Sequence, residues 1–188
     1  HLLSRRQRQM CIRDRYYYTA MAWLPTMAQQ AGLSAEAAGY LSGIFTLITL
    51  PLTFVLPTAF TRWNNKQRRW IMVGFSAFAF VGVGMILFNG HSFLFWLIVN
   101  LLMGFSGGAL FPYLLTMFSV KTTTPTRTAE LSGMAQSGGY LLAAFGPTLF
   151  GYGFGLWHSW TIQLIVLLVL IVLMAAAAWM VEKTDIIA

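Results

Sequence analysis

The stretch LSGMAQSGGYLLAAFGPTLFG, residues 131–151, indicates how this chain folds. It is long enough to cross a bilayer, because a spanning helix needs roughly 20 residues. It also carries a glutamine, two serines, a glycine pair, a tyrosine and a central proline, which a simple membrane anchor does not need. A helix that is polar along one side and interrupted by proline is typical of a span that borders water inside the membrane.

The whole chain has the composition of a membrane protein. Of its 188 residues, 57% are hydrophobic and 9% are charged, whereas a soluble domain has about 25% charged residues. A short apolar segment, 16–30, is either re-entrant or incomplete, and five others are long enough to span a bilayer. These five are 36–60, 70–88, 93–119, 131–156 and 160–180. The sequence therefore predicts an all-α membrane protein with six transmembrane helices.

The net charge of +7 does not indicate a protein that binds nucleic acid. Five of the twelve Lys and Arg residues fall in the first fifteen positions, and the others lie in alternate links between the predicted helices or in the tail. Since basic links stay in the cytoplasm, the pattern predicts that 61–69, 120–130 and the C-terminus are cytoplasmic. The predicted cytoplasmic basic loop contains Arg62, Lys66, Arg68 and Arg69.

The first fifteen residues, HLLSRRQRQMCIRDR, differ from the rest of the chain. They follow neither a helical nor a strand period, and they lack the apolar centre and cleavage site of a signal peptide. We expect 1–15 to be a non-native or disordered basic leader, with a native juxtamembrane segment as the alternative. Residues 16–188 are then expected to be a C-terminal six-helix bundle, a fragment of a larger protein. The single cysteine, Cys11, lies in the leader, so no disulfide is predicted within the chain.

The chain contains a weak internal repeat with a shift of 90 residues. Leu41-Ser42-Gly43 aligns with Leu131-Ser132-Gly133, and the PTxF motif at 57–60 aligns with the same motif at 147–150. Helices one to three then correspond to helices four to six. Because three is an odd number, the second copy crosses the membrane in the opposite direction, as in secondary transporters. Chance alignment of apolar segments is the alternative.

Polar or small residues line one side of the first, second, fourth and fifth predicted helices. The second helix shows the pattern most clearly, with Ser42, Thr46, Thr49 and Thr53 at helical spacing. The third and sixth helices are almost wholly apolar, and we expect them to contact lipid. Small residues in membrane helices more often mediate close packing than ligand contact. For Asn100, Gln136 and Tyr140, cavity lining and hydrogen bonding between helices remain open alternatives.

No pattern in the sequence indicates an enzyme. GFSGG, residues 104–108, matches a serine-hydrolase motif but lies inside a predicted helix. The nearest candidate bases, His91 and His158, fall in short links rather than at membrane depth. The sequence holds no metal-ligand cluster, phosphate loop or nucleotide motif, so no metal or cofactor is predicted. No charge lies deep in a helix, so any substrate is expected to be held by hydrogen bonds and aromatic faces.

Three segments resemble the C-terminal half of a major facilitator superfamily transporter. PTAFTRWNNKQRRW, 57–70, occupies the place of that family's basic loop, although Thr61 stands near the position of its usual acidic residue. YYYTAMAWLP, 16–25, and LSGMAQSGGYLLAAFGP, 131–147, resemble the seventh and eleventh helices of the cyanate and 2-nitroimidazole transporter-like subgroup.

The resemblance implies a bacterial cytoplasmic-membrane protein of two six-helix halves that moves a small solute by alternating access. The lipid bilayer, a small-molecule substrate and a missing N-terminal half are then its partners. Carried over to this sequence, the substrate-pathway residues are Tyr18, Trp23, Thr46, Thr49, Asn100, Gln136 and Tyr140. The alternative is a membrane scaffold or binding subunit that transports nothing, whose polar stripes only hold helices together.

Overall fold

The computed structural model describes residues 17–120, 122 and 124–181, with the backbone alone at 131, 142 and 181. The predicted leader, with Cys11, and the basic residues Lys121 and Lys183 lie outside these residues. Six helices make up nearly all of the described chain, as the sequence predicts. They are α1 (17–30), α2 (Ala35–Arg62), α3 (Asn65–Ile86), α4 (Phe93–Val120), α5 (Pro125–Trp157) and α6 (Thr161–Val181).

Two helices begin earlier than the apolar pattern predicts, because their first turns are held by caps. The Asn64 side chain accepts a hydrogen bond from the backbone of Gln67, whose side chain accepts one from the Asn64 backbone. This capping box starts α3 at Asn65 instead of 70. Thr124 caps α5 with one bond, its side chain accepting from the Arg127 backbone N–H, and Pro125 stands in the first position. The link predicted at 61–69 is therefore too long, because only residues 63 and 64 separate α2 from α3.

The prolines inside α2, α4 and α5 do not break these helices. Pro51 and Pro57 lie inside α2, Pro112 inside α4 and Pro147 inside α5, and each helix continues through. A proline inside a helix still removes one backbone hydrogen bond and leaves a carbonyl to be satisfied otherwise.

Four of the described helices are long and apolar enough to cross a membrane: α2, α3, α4 and α6. The helix α1 has too few described residues to qualify. The helix α5 is long enough at 33 residues. Its glycines, its serines and Gln136 make it more polar than these four helices, as its sequence predicts.

The centre of the bundle is α4, which packs against α2 on one side and α3 on the other. The helix α3 in turn packs against α6, whereas α5 touches α4 and α6 at few points. The helix α6 buries one face, formed by Leu164, Leu167, Ile171, Met174 and Ala178. The helix α6 thus packs one face into the core, and lipid contact is expected only for its exposed residues, such as Ile165, Val169 and Val172.

Successive helices run in opposite directions, so the two groups α1–α3 and α4–α6 have inverted topology. The start of α3 meets the end of α6, where the rings of Trp70 and Trp179 lie 5.2 Å apart. We call this end, which also holds Arg62 and Lys66, the basic end. The links 31–34, 87–92 and 158–160 lie at the opposite end.

Candidate functional site

Two tyrosines from α1 and α5 meet on a partly exposed face of the bundle. The rings of Tyr18 and Tyr140 lie 6.2 Å apart at 71°, and these residues are 39% and 40% exposed. Gln136 lies one turn before Tyr140, is half-buried, and makes no hydrogen bond to another described residue. Behind them the ring of Tyr17 packs 5.8 Å from that of Phe45 in α2. We call Tyr18, Gln136 and Tyr140 the tyrosine face.

The α2 hydroxyls bond mainly to their own helix. Thr46 Oγ1 donates to the Ser42 carbonyl at 3.0 Å, and Thr49 Oγ1 donates to the Phe45 carbonyl at 2.8 Å. Such bonds satisfy a hydroxyl donor in an apolar medium without any ligand. Thr46 is half-buried, whereas Thr49 is buried and also lies 3.3 Å from the Gly104 carbonyl of α4.

Asn100 is buried beside this contact between α2 and α4. It is 2% exposed, and its Nδ2 donates to the Trp96 carbonyl of the same helix at 2.8 Å. One turn later, a Cβ on Gly104 would lie 3.1 Å from the Phe45 carbonyl oxygen. A Cβ on Gly108 would lie 2.9 Å from the Thr49 carbonyl oxygen. In this chain, Thr49 and Asn100 thus belong to the α2–α4 interface and not to the tyrosine face.

Two pairs of glycines, each four residues apart, differ in whether they allow the close helix packing that the sequence favours for small residues. It is confirmed for Gly104 and Gly108, which let the α2 backbone approach. For Gly39 and Gly43 of α2 it is wrong within the described residues, because no atom lies within 4 Å of a Cβ placed there. Gly133 of α5 is equally open. Because α2 and α5 begin at opposite ends of the bundle, Gly39 and Gly43 lie near one end and Gly133 near the other, as separate open positions.

Trp23 connects α1 to α5 at a place separate from both the tyrosine face and the α2–α4 interface. Its indole Nε1 donates to the Pro147 carbonyl at 2.9 Å. Its ring occupies the space that a side chain at Gly151 would fill and lies 5.3 Å from the ring of Trp160. Trp160 also stacks on Phe154 at 4.1 Å. Trp23 is half-buried in this aromatic cluster, so its contacts are those of a packing residue.

The four predicted basic-loop residues differ in their surroundings. Arg62, the last residue of α2, and Lys66, in the first turn of α3, are exposed. Arg68 is 4% exposed and donates to the carbonyls of Phe60 and Trp63 and to the side chain of Asn65. It thereby satisfies backbone groups at the end of α2. The Arg69 guanidinium lies 4.7 Å above the Trp179 ring.

Two buried polar side chains were not singled out from the sequence as site residues. Gln163 of α6 is 5% exposed and Thr19 of α1 is 1% exposed. Neither carboxamide atom of Gln163 nor the Thr19 hydroxyl has a hydrogen-bond partner. From the sequence, Gln163 is only a polar residue near the start of a helix that we expect to contact lipid. Its residue type could have marked it as a candidate, because burying a carboxamide in an apolar helix costs free energy unless the carboxamide is hydrogen-bonded.

The charged side chains of the described helices lie near helix ends. Glu36 and Arg127 occupy the first turns of α2 and α5, Glu130 lies in the second turn of α5, and the others gather at the basic end. Across 17–120, 122 and 124–181, no three His, Cys, Asp or Glu residues come together as a metal site would require. The partly exposed polar surface thus consists of hydroxyl, amide, indole and backbone groups.

An all-α bundle of two inverted three-helix groups is the architecture of one half of a secondary transporter. Residues 14–185 match the sequence profile of the Major Facilitator Superfamily. The chain belongs to this superfamily.

Two relatives support this assignment. The chain is 32% identical over 163 residues to "Uncharacterized transporter YycB" of Bacillus subtilis (strain 168), covering 86% of this chain. It is 34% identical over 160 residues to "2-nitroimidazole transporter" of Escherichia coli (strain K12), covering 85% of this chain. In both comparisons the matched region spans 39% of the relative's length.

Proposed function

We propose that this chain acts as the C-terminal six-helix half of a secondary transporter that moves a small solute by alternating access. The tyrosine face supports this proposal most directly. Tyr18 and Tyr140 keep about two-fifths of their surface exposed, at 39% and 40%, and Gln136 lies one turn away with its amide free to bond. The exposed surface of α6, in contrast, consists of aliphatic residues such as Ile165, Val169 and Val172.

The substrate that this face suits is a small neutral or weakly polar molecule with a ring. The tyrosine rings offer aromatic contacts, and the Gln136 amide offers one donor and one acceptor. No charged side chain of the described residues lies near the middle of α1 or α5 to neutralise an ion. The relative named as a 2-nitroimidazole transporter is consistent with a substrate of this kind.

The missing partner in this proposal is an N-terminal six-helix half. The open positions of Gly39 and Gly43 on α2 support it, because small residues let a second helix surface approach closely. The basic end is proposed to face the cytoplasm of a bacterium, in its inner membrane, with the C-terminus on the same side. Arg62 and Lys66, exposed at that end, are the residues that favour this orientation.

We expect the chain to have no enzymatic activity. Ser106, the serine of the hydrolase-like motif, is fully buried and has no hydrogen-bond partner, hence no adjacent base. His91 and His158 lie in links at the end opposite the basic end. A nucleophilic serine needs a base within hydrogen-bond reach.

Solute uptake by cells that express the full-length protein tests the transport proposal, with radiolabelled 2-nitroimidazole as the first solute. Gln136→Leu and Tyr140→Phe should each lower uptake about tenfold, since each removes a hydrogen-bonding group from the pathway. Tyr152→Phe is the matched control, because Tyr152 is a 65% exposed tyrosine elsewhere on α5 and its variant should transport normally. Normal uptake by both test variants at normal expression would remove Gln136 and Tyr140 from the pathway, whereas no uptake by the unchanged protein would favour the scaffold alternative.

A further inference from the structure

Basic and aromatic side chains come together where α3 begins and α6 ends, at the basic end. Lys66, Arg69 and Trp70 share one side of α3, because residues three and four apart lie next to each other on a helix. The Arg69 guanidinium lies 4.7 Å above the Trp179 ring of α6, and the Trp70 ring meets the same ring edge-on, with 5.2 Å between the ring centres. We call Lys66, Arg69, Trp70 and Trp179 the basic-end cluster.

The described residues leave the hydrogen-bond donors of this cluster unused. Arg68 donates to two carbonyls at the end of α2, whereas the half-buried Arg69 makes no hydrogen bond to a described residue. Only the Nε of Arg69 is buried, which leaves its two terminal nitrogens accessible. Lys66 is exposed and forms no ion pair in the described part of the chain, and the indole N–H groups of Trp70 and Trp179 have no acceptor there. Two positive charges and two indole donors are therefore free to bind an anion.

The basic-end cluster lies at the edge of an exposed apolar surface. Trp70 is 59% exposed, and the exposed side of α3 beyond it carries Phe78 and Val81. On α6, the exposed side chains nearest this end are also apolar, such as Leu173 and Met180. Tryptophan is enriched where the hydrocarbon core of a bilayer meets the headgroups. A lipid lying along this surface would therefore place its chains on apolar side chains and its headgroup at the cluster.

We propose that the basic-end cluster binds the headgroup of an anionic phospholipid whose acyl chains lie along the exposed sides of α3 and α6. Phosphate oxygens accept hydrogen bonds from ammonium, guanidinium and indole groups, and the bonds from the charged groups are the stronger ones. The lipid carries a net negative charge because neither described carboxylate, Glu36 or Glu130, forms an ion pair with the cluster. Basic side chains at a membrane surface attract anionic lipids in this way. This site is separate from the tyrosine face and does not depend on the proposed transport.

Native mass spectrometry of the full-length protein released from nanodiscs tests the proposal. The nanodiscs hold phosphatidylglycerol and phosphatidylcholine in equal amounts and with the same acyl chains. The protein should retain phosphatidylglycerol about tenfold better than phosphatidylcholine, and Lys66→Gln and Arg69→Gln should each lower this preference about fivefold, the usual effect of one basic residue at a membrane surface. Arg127→Gln is the matched control, because it removes the same charge from an exposed position of α5 at the same end and should leave the preference unchanged.

Two further results distinguish lipid binding from a folding defect. Arg69→Lys keeps the charge and should retain most of the preference. Phosphatidylglycerol should raise the unfolding temperature of the unchanged protein more than phosphatidylcholine does, and this difference should shrink in Lys66→Gln, whose side chain is exposed and forms no ion pair with a described residue. Equal retention of the two lipids, or an unchanged preference in both Lys66→Gln and Arg69→Gln, would overturn the proposal. So would an equal loss in Arg127→Gln, since the basic end would then attract anionic lipid through its total charge alone.

Discussion

At the scale of single residues, glycines of the same sequence pattern have opposite roles in this bundle. Gly104 and Gly108 bring the α2 and α4 backbones together, whereas Gly39 and Gly43 face no other part of the described chain. The sequence predicts small-xxx-small pairs at both places and gives no means of distinguishing them. The difference depends on which helix surface is covered, and that is settled by tertiary packing.

Gly108→Ala should destabilise the bundle by about 1–3 kcal/mol, the usual cost of overpacking. The added methyl group would meet the Thr49 carbonyl oxygen at 2.9 Å, and backbone cannot move aside as a side chain can. Gly43→Ala should have no cost and should add helix propensity worth up to about 1 kcal/mol. Unfolding by SDS titration measures both. Equal stability of the two variants would contradict the described contact between α2 and α4.

The candidate site residues also differ in whether they are partly exposed or buried between helices. Tyr18, Gln136 and Tyr140 are partly exposed, as a pathway residue must be, but Thr49 and Asn100 are buried between helices. The spacing of a polar stripe predicts which side of a helix it occupies. It does not predict whether that side faces a cavity or another helix, because the two environments accept the same residue types. Their roles in transport stay predictions.

At the scale of helices, apolar length predicts the number of helices well and their ends poorly. The helices α3 and α5 extend into polar sequence because Asn64 and Thr124 cap their first turns. Both caps have the side chains expected at a helix start, so the sequence held this information. The role of Arg68 was not accessible in this way, since it depends on the short turn that brings the end of α2 next to it.

Arg68→Ala should lower the unfolding free energy by about 1.5–3 kcal/mol, the range for hydrogen bonds to a charged group. The Arg68 guanidinium donates to the Phe60 and Trp63 carbonyls, which are otherwise left unsatisfied at the end of α2. Lys66→Ala, two residues earlier and exposed, is the control and should change stability by less than about 0.5 kcal/mol. Thermal unfolding in detergent measures the difference. A neutral Arg68→Ala would mean that water replaces the side chain.

At the scale of the whole molecule, the faces of the bundle differ in chemistry. The tyrosine face carries hydroxyl and amide groups, whereas the exposed surface of α6 is aliphatic and suited to lipid. The sequence distinguishes four polar-striped helices from two plain ones, but two of the striped helices, α2 and α5, also expose large apolar residues such as Phe54 and Phe145. It could not reveal the basic-end cluster, because α3 and α6 are far apart in the sequence and meet only in the fold.

Cysteine labelling of the full-length protein, with its own cysteines replaced by serine, tests these faces. Thr46→Cys and Gln136→Cys should react with a charged thiol reagent, because thiolates form only where water reaches. Val169→Cys, on the 54% exposed lipid side of α6, should not react. Thr49→Cys and Asn100→Cys should be slow, because both residues are buried between helices. If Thr46→Cys and Gln136→Cys also fail to react, the polar side of the bundle is a dry scaffold surface.

The bond between Trp23 and Pro147 divides α5 into two parts with different freedom. Pro147 has no N–H for the Ala143 carbonyl, so the helix is weakest between these two residues. Beyond Pro147 the helix is fastened to α1 by the Trp23 indole, whereas 125–141 is mostly exposed. Bending of α5 is therefore expected to pivot between Ala143 and Pro147. Bending there moves 125–141, and with it Tyr140, toward or away from Tyr18. This tyrosine pair can therefore open and close as a gate while the aromatic cluster around Trp23 keeps its position.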